Sequence, residues 1–310
     1  MKILKNLLKT IKNPYKVITL FSKRGFLKSV PDELYIKLFY RGATGEVLNL
    51  KSPVTYNEKI QWLKLYDRNP LYTKLVDKYK VREYIANTIG DEYLIPLHGV
   101  WNDFNEIDFD ILPNQFVLKC THDSGGIVIC KDKSLFNIDE ARKKINKSLK
   151  RNFYYYTREW PYKNVKPRII CESYIDQDDG EELRDYRFFC FDGKPKFIAV
   201  DFSITDKSKT RRNLYDLDWN LLDAEISYPK EENIKVNKPK KLNKMIELSQ
   251  ILASNFPHAR VDLYYIHNQI FFGEITFFHQ NGIGTISPKD FNVQMGKWIK
   301  IPPDTRTYNC

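Results

Sequence analysis

Two carboxylates facing each other across a hairpin constrain this chain more than any other feature of its sequence. Residues 258–282 read HARVDLYYIHNQIFFGEITFFHQNG. The runs His258 to Ile266 and Ile270 to Phe278 are rich in β-branched and aromatic residues, and predict two strands joined through His267-Asn268-Gln269. A three-residue loop pairs Ile266 with Ile270. That register sets Asp262 opposite Glu274 and Arg260 opposite Thr276, and turns Val261, Leu263, Phe271 and Ile275 toward a core on the other face. Like charges directly opposite on a sheet repel. Such a pair is either a solvated surface feature or a site for a hard cation. For the second, Mg²⁺ held partly by carboxylates and partly by nucleotide phosphates fits best.

A chain of 310 residues can bury a large core and form two or three lobes. Its composition, 42% hydrophobic and 29% charged, is that of an ordinary soluble protein, with 20 Tyr and 19 Phe for aromatic packing. No run reaches the roughly 18 apolar residues of a membrane span. The first residues lack a secretory apolar core and cleavage site, so cytoplasmic residence is expected. Five cysteines without Cys-x-x-Cys spacing point to reduced, buried thiols rather than zinc. The net charge of +11 favours acidic partners, whether nucleic acid, anionic lipid or acidic glycan.

Residues 1–28 carry eight Lys or Arg and no acid. Ile3, Leu4, Leu7, Leu8 and Ile11 recur at helical spacing, so this is a basic amphipathic helix. It either packs on its own domain or makes peripheral contact with an anionic membrane. Thr55-Tyr-Asn-Glu58 is a capping-box pattern opening a helix to Tyr66. The next helix runs from Leu71 to about Asn87, with Gly90 ending it; Asp77-Lys78-Tyr-Lys-Val-Arg82 reads as its solvated face. Gln115 to Cys120 and Ile127 to Cys130 are strands flanking Thr121-His-Asp-Ser124-Gly125-Gly126. That unit is either a hairpin turn or a small-residue loop folded over phosphates with Lys119 beneath it. No Walker A string is present. Residues 138–156 read as one basic helix, and Arg168 to Ile175 as a buried strand. Asp185 to Phe191 turns at Asp192-Gly193 onto Lys196–Phe202. Residues 205–237 read as irregular, and Lys240 to Asn255 as a helix.

Taken in order, Asp77-Lys78, Val117-Leu-Lys119 before Ser124-Gly-Gly, Glu172-Ser-Tyr174-Ile175, and Arg260-Val-Asp262 with Gly273-Glu274-Ile-Thr276 resemble the ATP-grasp superfamily of carboxylate–amine ligases. Tyr56-Asn-Glu-Lys-Ile-Gln-Trp-Leu-Lys-Leu-Tyr-Asp67, Arg158-Glu-Trp160 and Phe189-Cys-Phe-Asp-Gly193 narrow the resemblance to its TupA-like branch over residues 30–300. That branch is named for teichuronopeptide biosynthesis and is associated with cell-surface polysaccharide loci. The resemblance implies an α+β, ATP-grasp fold, two lobes gripping ATP behind a helical basic N-terminal region. Its boundaries would be 1–75 for that region, 76–170 for the lid lobe, 171–300 for the C-terminal lobe with the Mg²⁺/ATP hairpin, and 301–310 for a tail. It implies that Lys78 and Lys119 bind phosphate, and that Ser124, Gly125 and Gly126 close over it. Glu172, Tyr174 and Ile175 would read adenine and Asp185 the ribose. Asp262, Glu274 and Thr276 would hold Mg²⁺, and Arg260 would steady the reacting oxyanion. Thr276 departs from the superfamily's usual Asn.

The function so implied is an ATP-dependent ligase working through an acyl phosphate. It would join an amino acid or amine to a carboxylate on a surface glycan, a capsule or cell-wall polymer, or a peptide. The alternative is a metal-dependent nucleotide-sugar glycosyltransferase, for which Asp176-Gln-Asp178 and Asp216-Leu-Asp218 supply Asp-x-Asp patterns. A third reading, a non-catalytic binder of nucleic acid, finds no recognised module in the chain. His122, His258 and His279 are expected to be structural.

Overall fold

The computed structural model describes residues 18, 21, 27–176, 183–202, 210–234 and 236–301. The expected amphipathic helix at residues 3–11 and Asp178 lie outside them. Two antiparallel sheets carry the fold. The smaller has the order β1-β4-β2-β3, built from β1 (Leu97–Trp101), β2 (Phe116–Cys120), β3 (Ile127–Cys130) and β4 (Ile169–Ser173). The larger has the order β10-β9-β5-β6-β7, from β5 (Tyr186–Phe191), β6 (Lys194–Phe202), β7 (Arg211–Tyr215), β9 (His258–Ile266) and β10 (Gln269–Thr276). A short pair, β8 (Glu225–Ile226) with β11 (Ile286–Ser287), closes one end. Helices interleave with antiparallel sheets, so the class is α+β.

The hairpin reaches the expected pairing by a different route. Gln269, not Ile270, pairs with Ile266, so the turn is His267-Asn268, both at positive φ. Left alone, that register would slip Glu274 past Asp262. A bulge at Gly273 takes up the extra residue and restores Glu274 opposite Asp262 and Thr276 opposite Arg260. Below the bulge, Phe272 rather than Phe271 joins Leu263 in the core. The second hairpin turns at Asp192-Gly193 with φ of 49° and 75°, the double left-handed turn that matches strand twist.

Among the helices, α1 (Asp32–Thr44) packs beside α2 (Tyr56–Tyr66), which Thr55 and Glu58 open with a complete capping box. The predicted helix from Leu71 breaks in two, α3 (Leu71–Val76) and α4 (Val81–Thr88). Asp77 breaks it: its carboxylate accepts from the amides of Tyr79 and Lys80, at 2.9 and 3.2 Å, and starts a fresh turn there. Asp77 is buried and ion-paired to Arg168 at 2.8 Å, so the solvated-face reading of this segment fails. The basic helix α5 (Ile138–Leu149) stops early, followed by the single turn α6 (Tyr154–Thr157). Helix α7 (Leu242–Ala253) covers one face of the large sheet, and α8 (Lys289–Trp298) packs against α2. Strands β1 and β7 had no clear sequence signal; β7 lies in the stretch read as irregular. The thiols of Cys120, Cys130, Cys171 and Cys190 are free and buried, as expected.

Gly273 is also tightly placed. A Cβ there would meet the Asp262 carbonyl oxygen at 3.0 Å and the Tyr264 ring at 3.2 Å. Gly273→Val should lower stability by about 1–3 kcal/mol, read as a fall in the urea midpoint at unchanged slope. A midpoint equal to wild type would mean that the bulge is not needed.

Candidate active site

The two sheets face each other across a cleft lined by Lys78, Val81, Arg82, Leu94, Lys119, Glu172, Phe272 and Gly273. Lys119 and Glu172 lie on neighbouring strands of the small sheet. Their side chains meet at 2.7 Å, while Arg82 from α4 takes the other oxygen of Glu172 at 2.9 Å. The break at Asp77 brings Lys78 over the cleft, where its ammonium donates to the carbonyl of Asp123 at 2.9 Å. Three cations and one acid thus line a space of about 30 Å³.

Ser124, Gly125 and Gly126 form the loop between β2 and β3. Its anchor is Asp123, which accepts from Ser148 on α5 and from Arg151, Nε at 3.1 Å. Burial opposes ionisation of Asp123, but the Ser148 and Arg151 bonds outweigh it and hold the carboxyl below its usual range. Nε2 of His122 lies between the carbonyls of Ser148 and Arg151, so it carries the proton and donates to both. A Cβ at Gly126 would sit 2.3 Å from Ser148 Oγ, so the loop lies flat on the helix end. Tyr174 and Ile175 follow β4 and do not line the cleft; Tyr174 donates to Asp176 at 3.0 Å and lies beneath Lys131.

One face of the large sheet carries charge on all five strands. Arg260 donates to both oxygens of Asp262, at 2.7 and 2.6 Å, and to Glu274 at 2.7 Å. Its remaining edge meets His279 Nδ1 at 2.6 Å. Arg187, across from Asp262, pairs with Asp185 at 2.9 Å and Asp201 at 2.7 Å. Arg212 on β7 holds Asp201 with two bonds of 2.6 and 2.7 Å. Thr276 donates to Glu274 at 3.3 Å. Asp262 is buried, and desolvation pushes its carboxyl upward against Arg260 and Arg187. The Glu274 side chain is 42% exposed. Desolvation raises it too, but Arg260, Lys78 and Arg187 prevail and keep it below its usual value. Lys78 from the other side of the cleft therefore already acts on Glu274.

Sequence reasoning did not single out Arg82, Asp123, Arg151, Arg187, Asp201 or Arg212. It also passed over the polar stripe Asn57, Gln61 and Lys64 on α2, all buried. That stripe holds the segment after the hairpin. Asn57 donates to the Gly284 carbonyl at 2.9 Å, Gln61 to the Asn281 and Gly282 carbonyls at 2.8 and 2.9 Å, and Lys64 to the carbonyl and side chain of Asn281. The signal was available: polar residues at i, i+4 and i+7 of a helix whose other sides are apolar. The histidines are structural in geometry, His258 lying between the Tyr56 hydroxyl and the Phe277 carbonyl at 3.1 and 2.8 Å.

Residues 58–300 match the family profile described as TupA-like ATPgrasp. The chain belongs to the TupA-like ATP-grasp family. Comparison with curated proteins finds no match. Among solved structures, it is similar to the D-alanine–D-alanine ligase of Helicobacter pylori, with 14% identity and a TM-score of 0.42 over 79% of this chain and 69% of that one. For a D-alanine–D-alanine ligase of Bacillus anthracis complexed with ATP, identity is 15% and the TM-score 0.37, over 66% of this chain and 54% of that one. A RimK domain ATP-grasp protein of Sphaerobacter thermophilus gives 10% and 0.41, over 76% and 70%. Many ATP-grasp proteins are ATP-dependent carboxylate–amine ligases.

The residues fit what that family handles. Lys78, Lys119 and Arg82 suit a polyphosphate, and Glu172 offers an acceptor between them. Asp262, Glu274 and Thr276 offer only oxygen donors, the set a hard dication takes. Among the described residues no three His, Cys, Asp or Glu side chains converge to hold a metal unaided. An ion here would need nucleotide oxygens as well. The rival Asp216-Leu-Asp218 pattern is spent on its own turn: Asp216 accepts from the amides of Asp218 and Asn220, at 3.0 and 2.7 Å, and from the Asn220 side chain at 2.8 Å.

Asp201 is the common acceptor of the buried Arg212 and the half-buried Arg187. Asp201→Asn should leave both undercompensated and cost about 3–5 kcal/mol, measured by chemical denaturation. A loss under about 1 kcal/mol would show that the network does not hold the sheet together.

Proposed function

We propose that this protein is an ATP-dependent carboxylate–amine ligase that modifies a cell-surface polysaccharide or a teichuronopeptide-like polymer precursor. The carrying observation is that Lys78, Lys119 and Arg82 line one cleft with Phe272 and Gly273 of the hairpin that sets Glu274 opposite Asp262. A carboxylate is a poor acyl donor, and phosphorylation turns it into an acyl phosphate that an amine can attack. Lys78 and Lys119 would bind the phosphates and neutralise charge on the transferring phosphoryl group, and Arg260 would steady the oxyanion. Glu172 would face adenine once its lysine and arginine turn to the nucleotide, and Asp185 would face the ribose. Asp262, Glu274 and Thr276 would hold Mg²⁺, which supplies charge neutralisation to the phosphates when bound. Ser124, Gly125 and Gly126 would exclude water from the intermediate.

The net charge of +11 supports an acidic glycan or peptide as the carboxylate partner, with an amino acid or amine as the second substrate. A cytoplasmic enzyme held at the anionic inner face of a membrane by the basic segment 1–28 would meet lipid-linked intermediates there. No helix among the described residues is long and apolar enough to cross a membrane.

Purified protein with ATP and Mg²⁺, screened against uronic-acid glycans and free amino acids, should release ADP and phosphate only when acid and amine are both present. Asp262→Ala and Lys119→Ala should each lower that rate by about 100-fold or more. Turnover of a UDP-sugar without ATP binding would replace this reading with the glycosyltransferase one.

A further inference from the structure

We propose that Glu159 is the catalytic residue that receives the amine substrate as an ammonium ion and takes its proton. The proposal rests on the ligase reading above and names the part of the site that reading leaves open. Six acidic residues are buried among the described residues: Asp77, Asp123, Glu159, Glu172, Asp201 and Asp262. Five have cationic partners within ion-pair distance: Arg168 for Asp77, Arg151 for Asp123, Lys119 and Arg82 for Glu172, Arg187 and Arg212 for Asp201, and Arg260 for Asp262. Glu159 is 6% exposed, and its carboxylate makes no hydrogen bond or ion pair with any described residue; only its backbone is bonded, to Thr157 and Tyr162. A carboxylate this buried, with no hydrogen bond and its charge offset only at a distance by Lys64, is costly, and such a cost persists where function needs the group.

The chain on either side is anchored so as to present this side chain. Arg158, at a φ of 59°, is fully buried and donates to the carbonyls of Leu27 and Val30 at 2.6 and 3.2 Å. Trp160 donates to the Asp67 carbonyl at 3.0 Å and stacks on Tyr72, which stacks in turn on Phe277 at 3.9 Å. Phe277 directly follows Thr276, so the turn that carries Glu159 packs, through α3, toward the end of the charged hairpin. The left-handed backbone at Arg158 is strain of the kind that clusters at working sites. Lys64 is the cation nearest in effect, yet its three donor positions are filled by Gln61 Oε1, the Asn281 carbonyl and the Asn281 side chain. It can influence Glu159 through its charge but has no donor left for it. Burial raises the affinity of Glu159 for a proton, Lys64 and Arg260 oppose this, and Glu274 adds to it. A carboxylate so placed suits a general base at neutral pH.

In the step proposed, R–NH₃⁺ gives one proton to Glu159 and becomes R–NH₂. The nitrogen lone pair attacks the acyl carbon, and the C–O bond to phosphate breaks. One further N–H proton leaves with the phosphate as HPO₄²⁻, the amide forms, and Glu159 returns its proton to solvent. Hydroxylamine is already neutral near pH 7 and attacks acyl phosphates unaided, so it bypasses this step.

The experiment compares wild type, Glu159→Gln and Glu159→Asp, each with ATP, Mg²⁺ and a uronic-acid oligosaccharide. The nucleophile is either hydroxylamine or an amine probe (ethanolamine, L-alanine or L-lysine). Glu159→Gln should form hydroxamate within about threefold of wild type, while amide formation falls about 100-fold or more; Glu159→Asp should recover part of it. The melting temperature of Glu159→Gln should fall, because the buried Lys64 ammonium loses the carboxylate that offsets its charge, and the hydroxamate rate separates that loss from a loss of function. Amide formation by Glu159→Gln at the wild-type rate overturns the proposal, as does loss of hydroxamate and amide together in a folded variant that binds ATP. Absence of hydroxamate, amide and ADP from wild type overturns the ligase reading and this proposal with it.

Discussion

Arg260 is the contact on which the remaining arrangement depends. A single guanidinium ties Asp262, Glu274 and His279 together within hydrogen-bond distance. Without it, two carboxylates would stand opposite each other on a buried face of β9 and β10, where repulsion is poorly screened. Arg187 and Arg212 extend the same solution across β5, β6 and β7 through Asp201. Every strand of the large sheet contributes a charge, and no strand can be moved without unpairing one. The opposite face is apolar and packed by α7, so the sheet is a rigid plate with one functional side.

The small sheet is held differently. Its glycine loop is tied to α5 by the side chain of Asp123, and its cleft-facing charges are tied to one another through Glu172. The acids Asp123 and Glu172 are buried, whereas Arg82, Lys119 and Arg151 are only partly covered, and a polyanion could draw those cations to itself. The contrast gives the fold a fixed half and an exchangeable half meeting at Lys78. The break in the helix at Asp77 is what places Lys78 there, and the Asp77–Arg168 pair is what fixes the break.

Much of this was legible in the sequence. The facing pair Asp262/Glu274, the Asp192-Gly193 hairpin and the Thr55 capping box follow from local rules of alternation, turn chemistry and capping. The turn at His267-Asn268 was misjudged by one residue because a bulge at Gly273 cancels the error, and bulges leave little trace in alternation. The split at Asp77 was hidden because Leu71 to Asn87 keeps a helical pattern on both sides of a residue that competes for backbone amides. Strand β7 was hidden because its inward residues include Arg212 and Asn213, which look solvated until their partners, Asp201 and the segment through Glu231, are brought beside them. Charged residues that pair across elements distant in sequence are the part that local pattern does not reveal.

On the proposed reading, the cleft between the two sheets takes nucleotide as Lys119 and Arg82 leave Glu172 for phosphate. Titration calorimetry with a non-hydrolysable ATP analogue and Mg²⁺, on the intact protein, tests it most directly. One analogue should bind per chain, with affinity that falls when Mg²⁺ is omitted. No binding of the analogue under conditions where a UDP-sugar binds would contradict it.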